Sequence, residues 1–287
     1  MKKILIAGVT GQLGSALKKN FSSEFKVFGL SRNSENNAHF FKCDITDNRK
    51  LEIIFNIVKP DIVINTAALG HADTCEAEKE HAYRINYLGN NNLLSLSRKY
   101  NSYFVFMSSY YVFDGHDKEY NESHYVCPLN YYGITKIMSE IETSGYKNSL
   151  IIRSSKIISL GYGGKNLIVR LDNDLKNKRK VQASSDQYNN PITANFMADT
   201  IKKLILKSKT GVFNIGGENY VSNYELSLMF ASLFGYDASL ISGIVTKTGE
   251  QLVIRPKDVF LTLDKLKKAG IDTYNLDQMF NDMKNGR

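Results

Sequence analysis

The sequence predicts an α/β fold, a doubly wound parallel sheet followed by a smaller C-terminal lobe. Three observations carry that reading. Short, largely apolar runs recur at residues 4–7, 25–30, 40–43, 62–65, 103–107 and 150–153, as strands covered on both faces do. Between them, proline-free stretches at 12–20, 49–58, 77–100 and 130–143 repeat apolar residues at helical spacing and read as crossover helices. Past Arg153 the alternation loosens. Helices are expected at 167–175, 194–206 and 224–234, with glycines and a short strand at 212–215 among them. The expected division is residues 1–153 for the first domain and 154–287 mainly for the smaller lobe, with segments of the latter free to return to the first core.

Composition agrees with this and narrows the function. The 287 residues are 43% hydrophobic, with 15 Phe and 17 Tyr against 4 Pro, so the chain can bury a substantial core and is not disordered. A balance of 37 basic to 29 acidic residues gives +8, which favours an anionic partner. Lys176, Lys178, Arg179 and Lys180 read as the end of a surface helix, and no zinc-finger or arginine-rich signature accompanies them, so nucleic acid is not expected. Cys43, Cys75 and Cys127 are far apart and form no C-x-x-C pair. His71, His81 and His124 lack metal-ligand spacing, so no metal is expected. The N-terminal apolar run stops at Gly8, and nothing approaches the ~18 apolar residues of a membrane span. A cytoplasmic protein without membrane association is expected. Asp73, Glu76, Glu78 and Glu80 read as acids that complement the start of a helix.

The strand at 4–7 runs into Gly8-Val9-Thr10-Gly11-Gln12-Leu13-Gly14 and then a helix. In such a turn one glycine permits the bend, the next admits a pyrophosphate and the third lets helix pack on strand, with phosphate at the positive helix end. The spacing is G-x-x-G-x-x-G rather than G-x-G-x-x-G, and three glycines alone fit a plain tight turn; with a strand before and a helix after, the stretch reads as the dinucleotide-binding turn of a Rossmann-type fold. The second strand ends Ser31-Arg32-Asn33, without the acid that would hold a ribose 2′-hydroxyl. Arg32 suits a 2′-phosphate, so NADP(H) is preferred, while the nearby Glu35 keeps NAD(H) open.

Tyr132 and Lys136 stand four apart within a predicted helix and share a face. A tyrosine has an ordinary pKa of ~10, and a nearby cation favours its phenolate, so Lys136 is expected to tune Tyr132 as a general acid or base. The strand at 103–107 ends in Ser108-Ser109, at the sheet edge where open α/β folds bind ligands.

With these residues in place, the chain resembles the extended short-chain dehydrogenase/reductase family, and within it the dTDP-4-dehydrorhamnose reductase group. Residues 108–115, Ser-Ser-Tyr-Tyr-Val-Phe-Asp-Gly, are similar to the group's S-T-D-Y-V-F-D-G. Pro128-Leu129-Asn130-Tyr131-Tyr132-Gly133 runs into Lys136, residues 186–193 resemble D-Q-Y-G-x-P-T, and Arg255-Pro256 precedes a similar tail. The resemblance implies a trio in which Ser109 orients a ketone, Tyr132 donates a proton, and Lys136 binds the nicotinamide ribose. It implies cofactor contacts from Gly8, Thr10, Gly11, Gln12, Leu13, Gly14, Ser31, Arg32, Asp44, Ile45, Ala67 and Ala68, as well as Tyr132 and Lys136. Substrate contacts fall on Ser109, Tyr110, Val112, Phe113, Lys156, Gln187 and Arg255. Implied, too, is NADPH-dependent reduction of a nucleoside-diphosphate 4-keto-6-deoxy sugar in deoxysugar and surface-polysaccharide biosynthesis.

The chain departs from the group at Tyr110, where it has an acid, and at Lys156, where it has an aromatic residue; Thr66 also replaces an alanine. Tyr110 and Tyr111 read equally as stacking residues or as core. Two rival readings stay open: an epimerase or dehydratase with bound NAD, and a non-catalytic NADP-binding regulatory subunit like the methionine adenosyltransferase β subunit. A homodimer is compatible with the sequence.

Overall fold

The structure, a computed structural model, describes residues 1–161, 166–246 and 253–285. Seven strands form a wholly parallel sheet: β1 (Lys3–Ala7), β2 (Lys26–Ser31), β3 (Phe40–Lys42), β4 (Ile62–Asn65), β5 (Tyr103–Ser109), β6 (Ser149–Ser154) and β7 (Gly211–Ile215). Their order is β7-β6-β5-β4-β1-β2-β3, with Ile4 of β1 in register with Val27 on one side and Ile62 on the other. The order reverses beside β1, so the turns after β1 and β4 open a crevice at the C-terminal sheet edge.

Two-residue periodicity sends alternate side chains to opposite faces. Ile4, Ile6, Ile62, Ile64, Val105 and Ile152 face one core, which the Gln12–Phe21 and Ala194–Leu206 helices cover. Leu5, Val63, Phe104, Phe106 and Ile151 face the other, beneath the Asn48–Val58 and Gly89–Lys99 helices. Each large apolar side chain so buried contributes about 1.5–3 kcal/mol. A third, small cluster joins Val112, Phe113, Tyr120, Val259 and Leu261.

Two expectations change, and one is made specific. The helix expected at 77–100 is four pieces: Ala72–Ala77, Lys79–Ala82, a π-helical turn over Tyr83–Leu88, and Gly89–Lys99. The π turn buries Asn86, whose amide bonds both backbone groups of Leu69 and the Thr135 hydroxyl. Those tertiary hydrogen bonds outweigh regular helical pairing. The strand expected at 212–215 is a segment that returns to the first core: as β7 it pairs with β6 at the sheet edge. The basic run continues past its helix: the helix ends at Lys176, and Lys178 has φ 54°, so Lys178, Arg179 and Lys180 occupy the turn beyond.

At the C-terminal sheet edge, short strands at Lys118–Tyr120, Asp258–Leu261, Tyr188–Asn189 and Val221–Ser222 form a second, four-stranded sheet. Two-stranded pairs join Ile157–Ile158 to Ile192–Thr193 and Val181–Ser184 to Ile241–Ile244. Among the described residues, no helix is long and apolar enough to cross a membrane.

Candidate active site

The glycine turn is fixed by close approach. Gly8 has φ 79°, and a Cβ there would lie 2.8 Å from Thr66 Oγ1 and 2.9 Å from the Ala67 nitrogen. A Cβ on Gly14 would lie 2.1 Å from the Gly8 carbonyl oxygen, so this glycine lets the helix settle on the strand. Gly11 begins the Gln12–Phe21 helix with no side-chain cap, which leaves first-turn N–H groups for an anion.

Beside the turn a cavity of about 180 Å³ is walled by Gly8, Thr10, Gly11, Ser31, Arg32, Asp44, Ile45, Ala67 and Ala68 of the expected set. Leu30, Asn33, Cys43, Thr66 and Ile85 complete its walls. Gln12, Leu13 and Gly14 do not wall it. Gln12 donates to Ser159 Oγ at 2.7 Å, Leu13 is buried in the core, and Gly14 presses on Gly8. Asp44 Oδ1 accepts from the Thr46 N–H and hydroxyl, each at 2.9 Å, and Thr10 donates to Ser31 Oγ at 3.1 Å. Arg32 is exposed at the rim, whereas Glu35 lines a neighbouring groove. An uncapped helix start, a glycine cradle and an arginine at the strand end fit a dinucleotide carrying a 2′-phosphate.

Asn130 caps the Tyr131–Ser144 helix by accepting from the Gly133 N–H at 3.0 Å. A Cβ on Gly133 would fall 2.3 Å from the Tyr111 carbonyl oxygen, so the helix start is pressed against the Tyr110–Val112 turn. This brings Tyr132 and Lys136 to the end of β5. Lys136 is buried and donates from Nζ to the Met107 carbonyl at 2.9 Å, 5.6 Å from the centre of the Tyr132 ring. Ser109 is buried too; its Oγ accepts from the Tyr111 N–H at 3.3 Å, and the side chain stands near enough to Tyr132 to favour its phenolate. Burial pushes the Lys136 pKa down to about 8, opposed by Cys75 and Glu140. The expected lowering of Tyr132 by Lys136 is not what the structure has: burial holds the Tyr132 phenol well above its ordinary value, and the opposing pull comes from Ser109.

Beneath the trio lies a buried network that sequence reasoning missed. Arg153 donates to both Glu140 oxygens, from Nη2 at 2.8 Å and from Nε at 3.1 and 3.2 Å, and Ser108 donates to Glu140 Oε1. Glu140 stands one turn after Lys136, which is the only trace of it in the sequence.

A second pocket, of about 260 Å³, opens beside Tyr110 and Tyr111; the Tyr111 ring meets that of Tyr132 edge-on at 5.4 Å. Lys156, Gln187 and Arg255 of the expected set line it, with Arg170, Asn189 and Asn223. Lys156 donates to Asn223 Oδ1, and its pKa is pushed down to about 8 by burial and then by Arg170 and Arg255. Val112 and Phe113 do not reach the pocket. Both are fully buried in the third cluster, where Phe113 stacks on Tyr120 at 4.3 Å. Of the acids read as complementing a helix start, Asp73 and Glu80 lie in the first turns of the Ala72–Ala77 and Lys79–Ala82 helices. Two of the cluster also serve as ties: Arg255 pairs with Asp73, and Glu76 accepts from the Tyr131 N–H at 3.0 Å and pairs with Lys79.

Residues 1–284 match the family described as RmlD substrate binding domain. Spore coat polysaccharide biosynthesis protein SpsK of Bacillus subtilis is 28% identical, with 94% of this chain and 93% of that protein covered. Methionine adenosyltransferase 2 subunit beta of Xenopus laevis is 25% identical, over 94% and 83%. Among solved structures, a hypothetical dTDP-4-dehydrorhamnose reductase from Sulfolobus tokodaii is 33% identical with a TM-score of 0.86, covering 96% of this chain and 98% of that one. The dTDP-4-dehydrorhamnose reductase of Bacillus anthracis in complex with NADP superposes over the whole of both chains with a TM-score of 0.92 at 23% identity.

Proposed function

The chain belongs to the RmlD substrate binding domain family, and on that premise we propose that it is an NADPH-dependent nucleotide-sugar ketoreductase. Its substrate is a nucleoside-diphosphate 4-keto-6-deoxy sugar, reduced at C4 as a step of deoxysugar and surface-polysaccharide biosynthesis. The observation that supports this is the nearness of Ser109, Tyr132 and Lys136 at the end of β5, with Tyr132 edge-on to Tyr111, which lines the cationic pocket; none of the three walls the glycine-turn cavity itself. A structure containing NADP among its relatives supports the cofactor, as does Arg32 at the cavity rim.

NADPH, when bound, supplies the hydride. Ser109 donates a hydrogen bond to the ketone oxygen, and Tyr132 delivers its proton there as negative charge develops, leaving an alcohol. A raised tyrosine pKa suits that role, because the phenol keeps its proton until the oxygen demands it. Lys136, anchored by the Met107 carbonyl, presents its ammonium to the cofactor's ribose and supports the phenolate left behind. Segments after residue 153 supply most of the substrate surface.

The test is turnover with NADPH and a panel of 4-keto-6-deoxy nucleotide sugars, followed by absorbance and product analysis. Tyr132→Phe is expected to lower kcat by roughly 10²–10⁴-fold, the worth of a positioned general acid, with NADPH affinity kept. Near-wild-type turnover in that variant overturns the assignment. The relation to methionine adenosyltransferase 2 subunit beta favours a second reading, an NADP-binding regulatory partner. Tight NADPH binding without turnover across the panel selects it.

A further inference from the structure

We infer that Glu140 is a positioning residue for the trio: from the helix that carries Tyr132 and Lys136 it clamps the end of β5 beside Ser109, and it supplies the counter-charge to the Lys136 ammonium. The inference deepens the ketoreductase reading and rests on it for what the trio does.

Lys136 and Glu140 stand four apart in the Tyr131–Ser144 helix and share its buried face. Lys136 Nζ reaches the carbonyl of Met107, and the next residue of β5, Ser108, donates its hydroxyl to Glu140 Oε1. Two successive strand residues thus hold the lysine and the glutamate, and the residue after them is Ser109. Arg153 is paired with Ser108 in the β5–β6 register and donates to both carboxylate oxygens, while its Nη1 donates to the Glu122 carbonyl at 3.1 Å. The carboxylate therefore ties the helix to both strands at the level of the trio.

The charges around Lys136 give this tie a second effect. Cys75 faces it from the Ala72–Ala77 helix, Tyr132 and Glu140 from its own helix, and the Met107 carbonyl and Phe106 ring from β5. Burial pushes Cys75 up to about 11 and raises Tyr132 as well, so both are neutral near neutral pH and Glu140 is the anion that remains. Without that anion, burial takes the ammonium below the value of about 8 at which it rests. Folding stability does not ask for such a pair, because apolar residues of similar volume commonly replace a buried ion pair at no cost. A carboxylate one turn past Lys136 does what apolar packing cannot, which is to keep a proton on the lysine.

The test follows the Lys136 side-chain resonance by heteronuclear NMR as a function of pH, in the full chain with neither cofactor nor sugar present. Its midpoint is expected near 8 in the wild type. Glu140→Gln should move it down by about one pH unit, a tenfold change in proton affinity, and Glu140→Asp should restore most of the wild-type value. Glu140→Gln leaves Arg153 unpaired in the core, so the double variant Glu140→Gln with Arg153→Met, which removes both charges together, is better able to fold. A smaller move in the same direction is expected in it. With NADPH and the sugar panel, the alkaline limb of kcat/KM should move with the titration. A Lys136 midpoint unchanged in the folded variants overturns the inference, and so does failure of both to fold, because the pair is then structural. A shifted midpoint in a chain that reduces no sugar of the panel keeps the hold of Glu140 on Lys136 and removes the ketoreductase reading.

Discussion

The glycine-turn cavity and the cationic pocket are built by opposite means. The first is shaped largely by backbone: Gly8 and Gly14 allow contacts that a Cβ would forbid, and an uncapped helix start offers its N–H groups. The second is made by side chains drawn from distant segments, with Lys156, Arg170, Asn189, Asn223 and Arg255 arriving on separate elements. A backbone site tolerates little change at its glycines and reads any ligand with the right phosphate geometry. A side-chain site can be rewritten one residue at a time, and that is where the chain departs from its group at Lys156.

The harshest way to break the contrast is Gly14→Ala. With its Cβ 2.1 Å from the Gly8 oxygen, the helix must lift from the strand. A loss of about 1–3 kcal/mol in folding stability and of measurable NADPH binding is expected, checked by denaturant melts and cofactor titration. Arg32→Ala tests the proposal that this rim side chain sets the cavity's cofactor choice. NADPH affinity should fall roughly 10–100-fold while NADH affinity stays level, and equal affinities for both cofactors in the wild type would remove its role. The mildest probe is pH. Lys136 is cationic below about 8 and loses its proton above, so kcat/KM for NADPH should hold up to pH 7.5 and decline beyond 8. A profile flat to pH 10 would show that its charge is not used.

That difference in construction also decides what the sequence reveals. Backbone constraints leave glycines at fixed spacing, and a helix puts Tyr132 and Lys136 on one face, so both features are legible in a single line of residues. Arg170, Asn189 and Asn223 carry no local mark, because only the tertiary fold turns them toward one pocket. The motif around Val112 and Phe113 located the loop, but the short turn over Tyr110–Val112 sends both side chains into a core. The break within 77–100 was invisible for a similar reason: Asn86 bonds Leu69 and Thr135, partners chosen by the fold rather than by helical spacing. Likewise Lys136 lies near Tyr132 as expected, yet burial, which spacing does not report, governs the phenol.

The late arrival of β7 has a consequence for how the chain is made. β6 is buried along its whole length, but its outer neighbour is encoded only at Gly211–Ile215. While the intervening residues are still being synthesised, β6 presents a row of unpaired N–H and C=O groups to whatever strand is near. The nascent protein is therefore most vulnerable to aggregation between those two points of translation, and a ribosome that stalls there releases a sheet with an adhesive side.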